Sequence, residues 1–206
     1  MKNALLIFAR NPVYGQVKTR LAATIGNEMT LAIYEHLLQH TASITNDLPG
    51  EKIVFYSNVI EEQDIWDNEV YKKHVQFGSD LGERMQNAFA YAFQEGNREA
   101  VIIGTDCLEL TSAIITNAFA ALRNNDVVIG PASDGGYYLL AIKQMHYELF
   151  HNINWSTDEV LKQTVAICAN ENLLVYQLQE LSDIDNENDL VEAIKKILQT
   201  KLIDDD

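Results

Sequence analysis

The sequence predicts an α/β protein: a three-layer α/β/α domain with a mostly parallel central sheet. Three observations lead to this prediction. Short, nearly continuous apolar runs are typical of strands buried on both faces. Segments with apolar residues at helical spacing lie between these runs. The two kinds of segment alternate over the first 130 residues, which implies right-handed β-α-β crossovers and a largely parallel sheet.

The N-terminal part of the chain begins this alternation. Residues 3–9 (NALLIFA) are apolar almost throughout and predict the first strand. The loop 10–20 contains a proline and a glycine, so it is not regular helix throughout. Residues 28–45 carry apolar side chains at helical spacing and predict a helix. Residues 52–57 (KIVFYS) are rich in β-favouring types and predict the next strand.

The middle of the chain repeats the pattern. An acidic run over 61–67 predicts a solvated face or a lid, and residues 81–93 then trace one apolar helical face. Residues 100–104 (AVIIG) predict a buried strand, and residues 111–122 predict a helix. Residues 126–130 (DVVIG) predict a further strand, which a proline ends.

The C-terminal part of the chain completes the sheet. Residues 137–142 (YYLLAI) predict another strand. Ser156 and Glu159 have the spacing of a capping box and predict the start of a helix over 158–170. The last predicted elements are a strand and a helix, over residues 173–178 and 188–202.

Length and composition predict one domain over residues 1–206, with 47% hydrophobic and 22% charged residues. Fifteen basic and 30 acidic residues give a net charge of −15, which argues against binding of nucleic acid through a basic surface. Two separated cysteines predict neither a disulfide framework nor a zinc site. The sequence shows no signal-peptide pattern and no apolar stretch of about 18–20 residues. These features predict a cytoplasmic protein without a membrane span; they do not indicate the oligomeric state.

Positive charge is concentrated at the N-terminus. Residues 1–27 contain four basic side chains and no Asp or Glu. Within the loop 10–20, Gly15 lets the backbone approach a ligand, Lys18 and Arg20 supply charge, and Thr19 supplies a hydroxyl. This pattern predicts a phosphate-binding loop, although it matches neither the P-loop nor the dinucleotide fingerprint. A solvated surface loop is the alternative.

Acidic residues follow the predicted strands. Asp106 lies two residues after AVIIG, in the segment Gly104-Thr105-Asp106, where an aspartate could hold Mg²⁺ or Mn²⁺ against a diphosphate. Asp185 follows the last strand and could supply a second carboxylate. Alternatively, Asp106 caps a turn or a helix, and Asp185 is an N-cap.

A third acidic position lies between two predicted strands, in the segment Asp134-Gly135-Gly136. In the functional interpretation, the paired glycines bring main-chain amides close to a sugar or base, and Asp134 accepts hydrogen bonds from hydroxyls. A hairpin turn explains the same residues equally well. The sequence leaves both interpretations open.

Six segments, taken in order, resemble a known family. They are FARNPVYGQVKTRL, GSDLGERMQNAF, VIIGTDCLELT, DVVIGPASDGGYYLLAI, INWSTDEVL and LSDIDNENDL. Together they are similar to the glycosyltransferase-A-like transferases associated with radical-SAM and selenocysteine domains, within the nucleotide-diphospho-sugar transferase superfamily. Two residues depart from the family pattern: Leu108 stands in place of a proline, and Asn186 in place of a threonine.

The resemblance implies a glycosyltransferase-A (GT-A) fold and a site for each motif. The first loop would hold the nucleotide's phosphates, and the Asp-Gly-Gly segment would line the sugar or acceptor side. Asp106 and Asp185 would be the divalent-metal ligands. The residues carried over to the phosphates are Arg10, Gly15, Lys18 and Arg20, and those on the acceptor side are Asp134, Gly135 and Gly136.

The function predicted from the residues and the resemblance is that of a metal-dependent transferase with a nucleotide-sugar donor and a small-molecule acceptor. Lys18 would grip phosphate oxygens, Asp106 would fix Mg²⁺ or Mn²⁺, and Asp134 would be the general base for a hydroxyl acceptor. One alternative is nucleotidyl transfer from a nucleoside triphosphate to a phosphorylated acceptor, with release of pyrophosphate. The other is a non-catalytic nucleotide-binding or regulatory module.

Overall fold

The computed structural model describes residues 2–193, which fold around a seven-stranded sheet. Its strands are β1 (Asn3–Ala9), β2 (Glu51–Tyr56), β3 (Tyr71–Val75), β4 (Glu99–Ile103), β5 (Val127–Pro131), β6 (Tyr137–Ile142) and β7 (Val175–Gln177). Its helices are α1 (Thr19–Ile25), α2 (Asn27–Thr45), α3 (Leu81–Gln94), α4 (Ser112–Ala121) and α5 (Val160–Asn170). A short 3-10 helix, Tyr147–Phe150, lies between β6 and α5.

The strand order is β3-β2-β1-β4-β6-β5-β7. Strands β1 to β4 run parallel to their neighbours among themselves, and β7 runs parallel to β5. Strand β6 is antiparallel to both β4 and β5. The predicted α/β class and mostly parallel sheet are therefore confirmed. Because β1, β2, β3 and β4 are parallel, the loops that follow them meet at one edge of the sheet.

The sheet carries an apolar layer on each face, as a three-layer fold requires. Alternate residues of β1 point to opposite faces because side chains alternate along a strand. Leu5 and Ile7 join a core that includes side chains of α1, α2 and α4. Ala4 and Leu6 join a second core with side chains of α3, α5 and the 3-10 helix.

Three details differ from the sequence prediction. Strand β3 and helix α1 were not predicted, because YKKHV carries three basic side chains and TRLAATI is short. The capping-box prediction at Ser156 was wrong: α5 begins after Glu159, without a side-chain cap, and Ser156 has a left-handed backbone.

The C-terminal helix is described only in part. Residues 187–193 are helical, and the rest of the predicted helix 188–202 lies outside the described residues. Asn186 caps this helix in place of the family's threonine, because its Oδ1 accepts from the backbone N–H groups of Asn188 and Asp189 at 2.9 and 3.2 Å. Within residues 2–193, no helix is long and apolar enough to cross a bilayer. The single-domain assignment of residues 1–206 stays a prediction.

Candidate functional site

A cavity of about 540 Å³, here called the large chamber, opens at the edge of the sheet where β1 to β4 end. Its walls include residues that directly follow each of these strands, namely Arg10, Ser57, Gln76 and Gly104, and Asp106 lies three residues after β4. The volume lies within the range of small-molecule sites. The sheet topology therefore creates the chamber at the place where open α/β sheets bind their ligands.

The wall of the large chamber combines apolar surface with fixed polar groups. Phe8, Leu81 and Met85 line the chamber. The Gln76 side-chain amide donates to the carbonyl of Phe55 at 3.0 Å, so its NH₂ group is engaged by the sheet. Residues from β1, the end of β3 and α3 thus form a wall that suits a flat ring with polar edges.

A second cavity of about 280 Å³, here called the cationic chamber, adjoins the first. Lys18, Thr19 and Arg20 line it, and these residues lie at the start of α1. Four residues line both chambers, which makes the two cavities neighbours: Arg10, Tyr34, Asp106 and Ser156. The predicted phosphate-binding residues Arg10, Lys18, Thr19 and Arg20 therefore lie together on one cavity, whereas Gly15 lines neither chamber.

Lys18 is the central charge of the cationic chamber. Its Nζ lies 2.8 Å from Asp106 Oδ2 and 2.8 Å from Asp185 Oδ1. The side chain of Lys18 is 7% exposed, and its backbone has φ 45° and ψ 49°, which is left-handed. Burial opposes the charged ammonium, but the two carboxylates outweigh burial and raise the pKa of Lys18. The three residues are thus brought together from the first loop, the end of β4 and the segment after β7.

The same electrostatics act on the carboxylates. Burial disfavours the charge of Asp185, but Lys18, Arg20 and Arg10 outweigh this effect and lower the pKa of Asp185. Asp183 behaves in the opposite way. Burial, followed by the charge of Asp106, raises the pKa of Asp183 to about 7. The site therefore contains one carboxylate whose negative charge is poorly balanced.

Two side chains fix the loops that build this site. The Tyr34 hydroxyl accepts from the Arg10 backbone N–H at 2.9 Å and donates to the Arg10 carbonyl at 3.0 Å, which holds the loop after β1 against α2. Burial, with the nearby charge of Asp106, raises the pKa of Tyr34 to about 12. Asn11 is 3% exposed and joins the loops after β1 and β2, donating to the carbonyl of Val59 at 2.8 Å.

The Asp-Gly-Gly segment forms the turn between β5 and β6. Asp134 Oδ1 accepts from the backbone N–H of Gly136 at 2.9 Å. Gly135 has φ 88°, and a Cβ there would lie 2.2 Å from the carbonyl oxygen of Asp158. Asp134, Gly135 and Gly136 line neither chamber, although the charge of Asp134 contributes to the raised pKa of Asp183. The turn geometry predicted for these residues is present, and their acceptor-side role stays a prediction.

The carboxylates suit a hard divalent cation in part. Asp106 and Asp185 present oxygen ligands from two different segments, and their side chains are 40% and 42% exposed. Among residues 2–193, no three His, Cys, Asp or Glu side chains form a group that could hold a metal ion by themselves. Mg²⁺ usually keeps several waters and uses one or two carboxylates together with substrate phosphates. The residues therefore fit an ion that arrives with a phosphate ligand, and a cage built from protein ligands alone is not found among the described residues.

Comparison with known proteins assigns the chain to a family. Residues 38–157 match a family of uncharacterized proteins conserved in bacteria, DUF2064. The chain belongs to this family. No curated protein matches the sequence significantly.

Solved structures share the fold. A provisionally named nucleotide-diphospho-sugar transferase from Desulfovibrio desulfuricans G20 is 29% identical, over 90% of this chain and 84% of that one, with a TM-score of 0.85. The inositol-1-phosphate CTP transferase from T. maritima is 13% identical, over 95% and 96% of the two chains, with a TM-score of 0.55. A Mycobacterium tuberculosis H37Rv protein in complex with manganese is 10% identical, over 95% and 99%, with a TM-score of 0.55. The chain therefore has the nucleotide-diphospho-sugar transferase fold that the sequence predicted.

Sequence reasoning did not assign a site role to Asp183, Tyr34, Asn11 or Ser156. Asp183 had a usable signal, because it lies two residues before Asp185 in the segment that follows the last strand. Asn11 directly follows Arg10, at the end of β1. Tyr34 is an unremarkable aromatic residue on a helix, and only its packing reveals that it bonds the backbone of the first loop.

Proposed function

We propose that this protein is a nucleotide-dependent transferase that uses a nucleotide-sugar donor. One observation carries the proposal: a chamber lined by apolar and polar side chains in similar measure adjoins a chamber with three cationic side chains, and Asp106 lines both. A nucleotide has the matching arrangement of a flat base and a polyanionic chain. In this proposal the base occupies the large chamber and the phosphates occupy the cationic chamber.

The chain's own residues provide most of the expected chemistry. Lys18, Arg20 and Arg10 neutralise phosphate oxygens, and Thr19 adds a hydroxyl donor. Transfer from such donors is mostly a matter of positioning and of stabilising the negative charge that develops on the leaving diphosphate. The side chains that fix the loops, Tyr34 and Asn11, keep the cationic groups in place before the donor binds.

Asp106 and Asp185 are the residues that would hold Mg²⁺ or Mn²⁺. When bound, the ion would add positive charge next to the departing diphosphate. Lys18 contacts both carboxylates, so its ammonium would have to leave them and bind phosphate oxygens for Asp106 and Asp185 to hold an ion together. Asp134 is proposed as the general base for a hydroxyl acceptor; an acceptor phosphate needs no such base.

Nucleotidyl transfer is the second candidate. The inositol-1-phosphate CTP transferase from T. maritima, which shares this fold, favours it. The two reactions leave different products: glycosyl transfer releases a nucleoside diphosphate, whereas nucleotidyl transfer releases pyrophosphate. Assay of both products with the same acceptor panel distinguishes them. We also propose that the chain belongs to the narrower group of transferases associated with radical-SAM and selenocysteine domains.

Calorimetry tests the proposal. The protein is titrated with the common ribonucleoside triphosphates and with nucleoside diphosphate sugars of the same bases. Each titration contains MgCl₂ or MnCl₂. We expect at least one of these nucleotides to bind, and we expect Asp106→Ala to remove the metal dependence of that binding. If no nucleotide binds with either metal, the proposal is wrong. Binding without product over the acceptor panel would instead support a non-catalytic nucleotide-binding module.

A further inference from the structure

The segment 154–159 belongs to the connection between the 3-10 helix and α5 and contributes Ser156 to the walls of both chambers. A Cβ at Gly82 would come within 2.2 Å of Trp155 Nε1, and a Cβ at Gly135 would come equally close to the carbonyl oxygen of Asp158. The segment is thus seated on two glycines, one at the start of α3 and one in the β5–β6 turn. Such close approach leaves it little freedom to shift.

Hydrogen bonds hold both ends of this segment. The backbone N–H of Asn154 donates to Gln163 Oε1 at 2.8 Å, and the Thr157 hydroxyl donates to the Asn154 carbonyl at 2.7 Å. The backbone N–H of Leu161 donates to the Gly135 carbonyl at 2.9 Å. These bonds use only groups of the protein. The segment therefore has its conformation before any ligand binds.

Ser156 stands at the centre of this segment in an unusual conformation. Its φ is 64°, in the left-handed region that serine seldom adopts. Ser156 is exposed at the cavity wall; its hydroxyl does not cap α5, and within residues 2–193 no side chain or backbone group hydrogen-bonds to it. A solvent-accessible hydroxyl on a constrained backbone, in the wall of a cavity, is available to a ligand that enters the cavity.

The position of Ser156 identifies that ligand's chemistry. Ser156 is one of the four residues that line both chambers. It alone of the four comes from the connection between the 3-10 helix and α5. The Tyr34 hydroxyl is already engaged by the Arg10 backbone, and Asp106 is an acceptor only. In the cationic chamber Ser156 shares the cavity with Lys18 and Arg20. A hydroxyl among cations is suited to donate to an anionic oxygen.

We propose that Ser156 contacts the phosphate chain of the bound nucleotide where that chain passes from the large chamber to the cationic chamber. This inference rests on the proposed function, because it takes the nucleotide to span both cavities. Ser156 then contacts the phosphate chain from a segment other than the first loop. The hydrogen bond from Ser156 would strengthen the binding of the phosphate chain and would not affect the binding of the base.

Ser156→Gly tests this role. Glycine adopts a φ of 64° without strain, so the substitution removes the hydroxyl and preserves the backbone. Loss of one hydrogen bond to a charged group should weaken binding of the preferred nucleoside triphosphate by about tenfold or more. Binding of the corresponding nucleoside, which has no phosphate, should not change. Both affinities are measured by calorimetry with MgCl₂ present throughout.

Asn152→Gly is the matched control. Asn152 lies in the same connection with a φ of 58°, is exposed, and lines neither chamber, so this variant should bind like the wild type. If Ser156→Gly binds the triphosphate as tightly as the wild type does, or loses triphosphate and nucleoside affinity equally, the inference is wrong while the proposed function stands. If the wild-type protein binds no nucleotide at all, both fall together, and that result is visible before any variant is made.

Discussion

Lys18 is the residue that joins the two carboxylates of the candidate site. Its ammonium lies 2.8 Å from each of two carboxylates, in a cavity that Arg20 and Arg10 also line. Without it, Asp106 and Asp185 would lose the cation that contacts both of them, although the charges of Arg20 and Arg10 would still act on Asp185. The contact also places a protein cation between the two proposed metal ligands. Lys18 therefore competes with a metal ion for the carboxylates, although it assists the binding of phosphate.

Lys18→Met should consequently change two affinities in opposite directions. Removal of the competing ammonium should strengthen binding of Mn²⁺ in the absence of nucleotide by several-fold. Loss of a buried cation beside the phosphates should weaken binding of a nucleoside triphosphate by about tenfold or more, because charge-assisted hydrogen bonds contribute roughly 1.5–3 kcal/mol. Mn²⁺ titration followed by electron paramagnetic resonance measures the first affinity, and calorimetry measures the second.

Lys162→Met is the control for this experiment. Lys162 is 78% exposed and pairs with Glu159 on α5, away from both chambers. This variant should change neither affinity. A fall in both affinities for Lys18→Met would show that Lys18 supports the carboxylates structurally and does not compete with the ion.

The neighbouring aspartates should affect stability with opposite signs. At pH 8 Asp183 is charged, above its pKa of about 7, and it faces Asp106, Asp134 and Asp185. Asp183→Asn should therefore raise the free energy of unfolding by about 1 kcal/mol or more. Asp185→Asn, which removes a partner of Lys18, should lower it. Chemical denaturation without metal ions measures both changes.

The pH dependence of the stability gain from Asp183→Asn tests whether the gain comes from charge. A raised folded-state pKa means that the native protein binds the proton of Asp183 more tightly than the unfolded chain does. The penalty is thus absent below the unfolded pKa of about 4 and develops as pH rises towards 7. The gain from Asp183→Asn should accordingly shrink as pH falls to about 4. A gain that is independent of pH would point to packing instead of charge.

The two thiols should be inert in the folded protein. Burial, followed by the charge of Asp183, raises the pKa of Cys107 to about 12, and burial raises that of Cys168 to about 11. The thiolate is the reactive species, so almost none of it is present at pH 8. An aromatic disulfide reagent should label neither cysteine in the native protein and both in guanidinium chloride. Rapid native labelling of either would contradict the burial seen here.

At the scale of secondary-structure elements, hydrophobic patterning predicted the strands that are buried on both faces and missed a strand that is partly exposed. Strand β1 and strand β4 are apolar because both of their faces are covered, and both were predicted. Edge strand β3 is paired on one side only and carries lysines, so its sequence has no such pattern. The antiparallel direction of β6 was not predicted either, since strand direction depends on the path of the chain between strands.

The candidate site was predictable where it follows a strand. Asp106 was predicted as a site residue because it closely follows an apolar run, and Lys18 because basic residues cluster in the first loop. Ser156 was assigned to a helix cap from its spacing to Glu159. Its true position depends on tight contacts with two glycines that are remote in sequence, and local spacing contains no information about such contacts.

Gly135 allows one of these contacts, and its substitution should displace the segment 154–159. Gly135→Ala introduces a Cβ that would lie 2.2 Å from the Asp158 carbonyl oxygen, on a backbone with φ 88°. Gly96→Ala is the matched control, because Gly96 has φ 84° and nothing within 4 Å of the added Cβ. The control should cost about 1 kcal/mol for backbone strain, and Gly135→Ala should cost at least about 2 kcal/mol more.

Thermal and denaturant unfolding measure these costs, and nucleotide titration measures the effect on the site. We expect Gly135→Ala to weaken nucleotide binding and Gly96→Ala to leave it unchanged. Equal costs for the two variants would mean that the segment relaxes freely around the new methyl group. In that case the fixed position of Ser156 would lose its support.

At the scale of the whole molecule, a cluster of positive charge lies in a protein whose net charge is negative. The chain has a net charge of −15, yet three cationic side chains line one small cavity beside the sheet edge. A polyanionic nucleotide would therefore be attracted by this local cluster of positive charge and repelled by the net negative charge of the whole protein. This arrangement explains why a divalent cation would help a protein of this composition to bind phosphate.

The same excess of negative charge should make the fold more stable in salt. Like charges repel within the compact state, and salt screens this repulsion, with a Debye length that falls from about 30 Å at 0.01 M to about 8 Å at 0.15 M. The midpoint of thermal unfolding should thus rise between these NaCl concentrations. Glu69→Lys with Glu171→Lys, at two exposed positions, changes the net charge from −15 to −15 + 4 = −11 and should flatten the rise. A midpoint that falls with salt would mean that ion pairs such as those of Lys18 outweigh the general repulsion, and the double variant would then steepen that fall or leave it unchanged.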